Sequence, residues 1–112
     1  MQIRELDLKE LSIAYDVVKQ LRVDLSYKEF EDLIYDMRYM NYKMFGVFER
    51  DIVITYAGVA VQTTLKDRRY LAIFDIVTCR DYEDSVYTQM MKDYLSDYAK
   101  TCMCEKVVYL ED

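Results

Sequence analysis

From Tyr42 to Thr78 the chain consists almost entirely of β-forming residues and is interrupted only twice. Tyr42 to Glu49 reads as a strand containing Gly46, and Arg50-Asp51 as a tight turn. Ile52 to Thr64 reads as a long strand, Lys66-Asp67-Arg68 as a hairpin turn, and Tyr70 to Thr78 as a third strand. Connections this short can join only antiparallel neighbours. Gly58, in the middle of the long run, predicts a bulge or a close backbone approach. Val86, Met90, Met91, Tyr94, Leu95, Tyr98 and Ala99 then mark an amphipathic helix from about Asp84 to Cys102. Lys106 to Leu110 is a last short strand. Two strands separated by one helix are expected to be parallel, through a right-handed crossover.

The first third of the chain precedes this sheet with one strand and two helices. Gln2 to Leu6 reads as the strand, and Asp7 as a helix cap. The apolar stripe Leu8, Leu11, Ala14, Tyr15, Val18, Leu21 follows at helical spacing. After a turn at Arg22 to Leu25, Ser26 and Glu29 form a capping box, and Phe30, Leu33, Ile34 and Met37 mark the buried face of a second helix. The order is β-α-α-β-β-β-α-β, an α/β (α+β) chain with one mixed sheet. Its 112 residues form one domain, residues 1–112, with no linker, repeat or low-complexity tract. A chain of this length buries roughly 65% of its unfolded surface, enough for a true core.

Composition removes several functions. A net charge of −6 argues against nucleic acid and anionic membranes and is compatible with a basic protein partner. No apolar run is long enough for a membrane span, and Met1-Gln2-Ile3-Arg4-Glu5 lacks a signal-peptide layout. Three cysteines without disulfide spacing favour a reducing, cytoplasmic location. With no histidine in the chain, acid–base work would fall to carboxylates, Lys, Tyr or Cys. Cys102-x-Cys104 with Cys79 is an incomplete zinc set, so no metal is expected and the thiols should pack as small apolar groups. Tyr87, Tyr94 and Tyr98 could line a groove, but core packing is the expectation for such a stripe. Asp75, Glu49 and Asp51 are the carboxylates placed to act as a general base, against a default of solvated turns. Lys66, Arg68 and Arg69 form a basic patch too small for nucleic acid. Tyr42, Phe45, Phe48 and Tyr56 are expected to pair across strands.

The element order, together with Ile3-Arg4-Glu5-Leu6, Phe45-Gly46-Val47-Phe48-Glu49, Tyr56-Ala57-Gly58-Val59, the strand Tyr70 to Thr78 with its Asp75-Ile76-Val77, and Tyr94 to Lys100, resembles the GNAT acyltransferase superfamily. The likeness covers the whole chain. It implies that the two early helices flank the acceptor side. It also implies that the loop after the fourth strand, with main-chain groups of Ile76 to Cys79, is where acetyl-CoA binds. The family loop reads Arg/Gln-x-x-Gly-x-Gly/Ala, and its amides hold the pyrophosphate. In an ungapped reading Glu83 takes the first basic position, and Asp84, Val86 and Thr88 take the glycine positions of the Arg-Gly-x-Gly-x-Gly form.

Each replacement opposes that chemistry. Val86 and Thr88 are β-branched, resist the positive φ a glycine cradle uses and add bulk. Glu83 and Asp84 are acidic where an anion would sit, and Asp84 or Ser85 is expected to cap the helix itself. The resemblance further implies a last helix and two more strands, often carrying a Tyr general acid, whereas Glu111-Asp112 end this sequence. The residues equivalent to the cofactor site are therefore Ile76, Val77, Thr78, Asp84, Ser85, Val86 and Thr88, and no catalytic residue is assigned. The expectation is a catalytically impaired pseudoenzyme that no longer uses acetyl-CoA well, with acetyl-CoA the cofactor only if the chain is active. It would bind protein or form a homodimer through the exposed strand Lys106 to Leu110. The alternative is an active acetyl-CoA-dependent N-acetyltransferase whose pocket is completed by dimerisation. A structural or regulatory module of the same topology is a third reading, favoured if no gap opens between the fourth and fifth strands.

Overall fold

The computed structural model describes residues 1–82 and 84–110. Its elements follow the order read from the sequence: β1 (Gln2–Leu6), a 3-10 turn (Leu8–Glu10), α1 (Leu11–Leu21), α2 (Tyr27–Met37), a second 3-10 turn (Arg38–Met40), β2 (Lys43–Glu49), β3 (Ile52–Thr64), β4 (Arg68–Thr78), α3 (Asp84–Thr101) and β5 (Lys106–Tyr109). The five strands lie in one sheet in sequence order, antiparallel from β1 to β4 and parallel between β4 and β5.

Local chemistry sets the helix starts. Asp7 accepts from the Lys9 amide, and Glu10 reaches back to the Asp7 amide at 3.0 Å. Ser26 and Glu29 form the expected reciprocal box, at 3.1 and 2.9 Å. Each pair satisfies amides that a helix N-terminus leaves without intrahelical partners. Asn41, in the left-handed region at φ 61°, ends the second 3-10 turn and leads the chain into Tyr42.

The sheet has a core on each face. Leu11, Ala14, Val17 and Val18 of α1, with Phe30 and Ile34 of α2, pack over Met44, Phe48, Val53 and Tyr56. On the other face Met91, Leu95 and Ala99 of α3 pack over Phe45, Val47, Ala57, Val59, Leu71 and Ile73. This two-period alternation keeps Tyr42, Phe48 and Tyr56 on one face and separates Phe45 from them. Phe45 lies opposite Ala57 and Gly46 opposite Tyr56, so Phe45 and Tyr56 are on opposite faces. Tyr94 and Tyr98 pack on Phe45 instead, with centroids at 5.6 and 4.9 Å. Leu33 also departs from expectation: it is 45% exposed, at the edge of the helix–sheet contact.

Two consequences of Gly58 position the site. The β3–β4 register slips between Gly58, opposite Asp75, and Val59, opposite Ile73. Phe74 is therefore the extra residue of a bulge, and both Phe74 and Asp75 point toward α1 and α2. Without the bulge, strict alternation would send Asp75 to the α3 face with Ile73. In addition, a Cβ on Gly58 would overlap the Tyr42 side chain, so Tyr42 lies over Gly58 on the α1–α2 face only because position 58 has none.

Candidate functional site

Two polar constellations sit near the C-terminal end of β4, one on each side of the sheet. The first lies on the α1–α2 side. Asp75 Oδ1 accepts from the Arg22 guanidinium at 2.9 Å. Its Oδ2 accepts from the Tyr42 hydroxyl at 2.9 Å, and the Tyr42 and Tyr56 oxygens are 2.8 Å apart. A carboxylate only accepts. The Tyr42 proton is therefore committed to Asp75, and Tyr56 must donate to Tyr42. Both tyrosines are buried, and burial is the main cause holding their hydroxyls protonated well above the ordinary range; the Asp75 charge adds to it. A cleft of about 230 Å3 runs from this cluster out between the two helices.

The second constellation ties β4 to α3. The Thr88 hydroxyl donates to Asp84 Oδ1 at 3.0 Å. With that proton used, Thr78 donates to Thr88 at 2.7 Å and Thr55 to Thr78 at 2.8 Å. One chain of hydroxyls thus runs from buried β3 through the end of β4 to the first turn of α3. Asp84 is the first residue of that helix, so it and Ser85 stand inside the first turn rather than at the cap position where they were expected. No described residue from Cys79 to Met90 has positive φ, so Val86 and Thr88 do not adopt the glycine-cradle conformation that they were expected to resist. Val86 is exposed, and Ile76 and Val77 are half-buried on opposite faces of β4. Position 83 lies outside the described residues, as does 111–112.

Along β4, pairing with β5 runs from Tyr70 to Ile73, with a further bond from the Leu110 amide to the Ile73 carbonyl. Among the described residues Asp75 to Thr78 pair with β3 alone.

The remaining candidates are dispersed. Glu49 closes β2 and Asp51 lies in the turn that follows it, away from Asp75. Cys79 lies beyond the start of α3, whereas Cys102 and Cys104 lie past its far end; all three thiols are free. Burial pushes the Cys104 thiol up, opposite to what a metal ligand needs. Arg69 donates to the Cys102 carbonyl at 2.8 Å at the C-terminus of α3, and Asp67 pairs with Lys106 at 2.7 Å. The basic hairpin is thus spent on internal contacts in part. Tyr87, Tyr94 and Tyr98 pack against the α3-side core, as expected. Among the described residues no helix is long and apolar enough to cross a membrane.

The sequence matches no protein-family model and no curated protein. Solved structures do match. The ribosomal-protein-alanine N-acetyltransferase of Brucella melitensis biovar Abortus superposes with a TM-score of 0.84 at 12% identity, over 100% of this chain and 81% of that one. Glucosamine-6-phosphate N-acetyltransferase of Arabidopsis thaliana gives 0.77 at 17%, over 99% and 82%. A predicted acetyltransferase of Clostridium acetobutylicum, solved with acetyl-CoA, gives 0.76 at 18%, over 99% and 80%. The chain has the GNAT fold. The Tyr42–Tyr56–Asp75 cluster was missed by sequence reasoning, which placed the two tyrosines in cross-strand pairs and Asp75 among the possible general bases. The available signal was Gly58, which already predicted either of the two features that build the cluster.

Proposed function

We propose that this protein is a GNAT-fold pseudoenzyme that makes no use of acetyl-CoA and works by binding protein, as a homodimer or with another chain through β5. The observation that carries this is the hydroxyl chain Thr55–Thr78–Thr88–Asp84. In the family a glycine stands at position 88 to let main-chain amides approach a diphosphate. In the ungapped reading a threonine of α3 stands at that position here, and its hydroxyl is bonded to both Thr78 and Asp84. The carboxylate at the end of the chain lies in the first helical turn, where it interacts favourably with the helix N-terminus and repels a second anion. The residues present therefore do not suit the diphosphate, and no transfer step is derived for them.

Titration with acetyl-CoA, followed by thermal unfolding, tests the proposal. A binder at 100 times its dissociation constant gains about 2.7 kcal/mol of stability. The expected result is no saturable shift for the native sequence, and a measurable one once Glu83→Arg, Val86→Gly and Thr88→Gly are introduced together. A saturable shift of the native protein, with label transferred from acetyl-CoA to an amine, would establish the active N-acetyltransferase instead.

A further inference from the structure

The cleft between α1, α2 and the sheet has a chemistry of its own. Its walls are apolar: Val18, Leu25, Phe30, Leu33, Ile34 and Met37. Its inner end is polar, formed by Arg22, Tyr42, Tyr56 and Asp75. At that end both hydroxyl protons are committed, Tyr56 to Tyr42 and Tyr42 to Asp75. Lone pairs are not: among the described residues nothing donates to the Tyr56 oxygen, and each Asp75 oxygen retains accepting capacity. The inner end is thus an acceptor surface. Its negative charge is already matched by Arg22 at 2.9 Å, so an ammonium entering the cleft would give up its hydration without finding an unpaired carboxylate.

We infer that this cleft binds an uncharged, largely apolar small molecule that presents one N–H or O–H donor to the Tyr56–Asp75 end. Size narrows the class. A dry cavity of about 150 Å3 holds benzene. A cleft of about 230 Å3 accommodates a two-ring body such as indole. Leu33, 45% exposed, stands at the mouth, where its side chain can be changed without disturbing the core. The site rests on the cleft alone and is independent of whether the loop before α3 admits acetyl-CoA.

The test is a heteronuclear NMR titration of the full chain with indole, 1-methylindole and tryptamine. Indole should give saturable shifts in the amides of Leu25, Ile34 and Asp75. Removing the donor in 1-methylindole should weaken binding about fivefold, the worth of one ordinary hydrogen bond. Tryptamine, charged at pH 7, should bind more weakly than indole. Leu33→Trp, which fills the mouth, should abolish the indole shifts while the spectrum stays dispersed. The inference is overturned if indole gives no saturable shift to the folded native protein, or if 1-methylindole binds as well as indole. It is equally overturned if tryptamine binds more tightly than indole, because the cleft would then be an amine site. Acetyl-CoA added to the same sample reports separately on the amides of 76–88, so failure of the pseudoenzyme proposal leaves its own signature.

Discussion

The Tyr42 hydroxyl is shared by three parts of the molecule. It fills the space left by Gly58, donates to Asp75 and accepts from Tyr56. Gly58→Ala would force that ring off position 58 and strand the Tyr56 proton and an Asp75 lone pair. A loss of about 3 kcal/mol in urea unfolding is expected from the overpacking and the broken bonds together. Once Tyr42 is truncated the Gly58 substitution has little left to displace, so Gly58→Ala with Tyr42→Ala should cost less than the two singles summed. The same burial makes stability depend on alkali. Tyr42 and Tyr56 titrate higher in the fold than in the unfolded chain, where tyrosine loses its proton near pH 10. Above that pH the folded state holds more protons than the unfolded one, so their contribution is complete below about pH 10 and declines as pH rises beyond it. Denaturation midpoints from pH 8 to 11 should fall in the native protein and stay flatter when both tyrosines are changed to Phe.

At the scale of elements, what matters is how β3, β4 and α3 are joined. Thr55 and Thr78 are buried, and their hydroxyls are satisfied by each other and by Thr88. Thr78→Val removes the middle of this chain and leaves the Thr55 proton without an acceptor, at a cost of about 2 kcal/mol. Thr55→Val with Thr78→Val removes both ends of that bond and should cost less than the sum of the singles, which equilibrium unfolding would show. Element order and strand direction were legible in the sequence because they depend on periodicity and on turns as short as Arg50-Asp51. The capping box at Ser26 was legible because its partners are three residues apart. The polar cluster was not, because its members come from Arg22, Tyr42, Tyr56 and Asp75, and only the bulge at Phe74 decides which face Asp75 joins. Asp84 was misplaced for a similar reason. A helix start is set by hydrogen bonds across a turn, and the run from Asp81 to Ser85 offers four polar residues that could each serve as the cap.

At the scale of the whole molecule the sheet has two edges, β1 and β5, and they differ in kind. Gln2, Arg4 and Glu5 make β1 polar, and Arg4 is held by Glu10 at 2.7 Å. Charged side chains of this sort discourage pairing with another chain. β5 carries Val107, Val108 and Tyr109 in succession, with Tyr109 and Leu110 exposed beside it. One face of β5 packs through Val107 against the α3-side core, and its outer edge has no strand among the described residues. An apolar strand with an unpaired edge is a template for a further strand, and the proposed function takes a second copy of β5 as that strand. Hydrogen exchange separates the edges. If β5 pairs with its copy, the amides of Lys106 to Leu110 should slow as protein concentration rises from about 1 to 100 μM, while those of Gln2 to Leu6 stay unchanged, because association protects only the amides it buries. Sedimentation over the same range should move from monomer to dimer in step with that protection. Concentration-independent exchange at β5 would leave the homodimer without support and direct attention to a different chain as the partner.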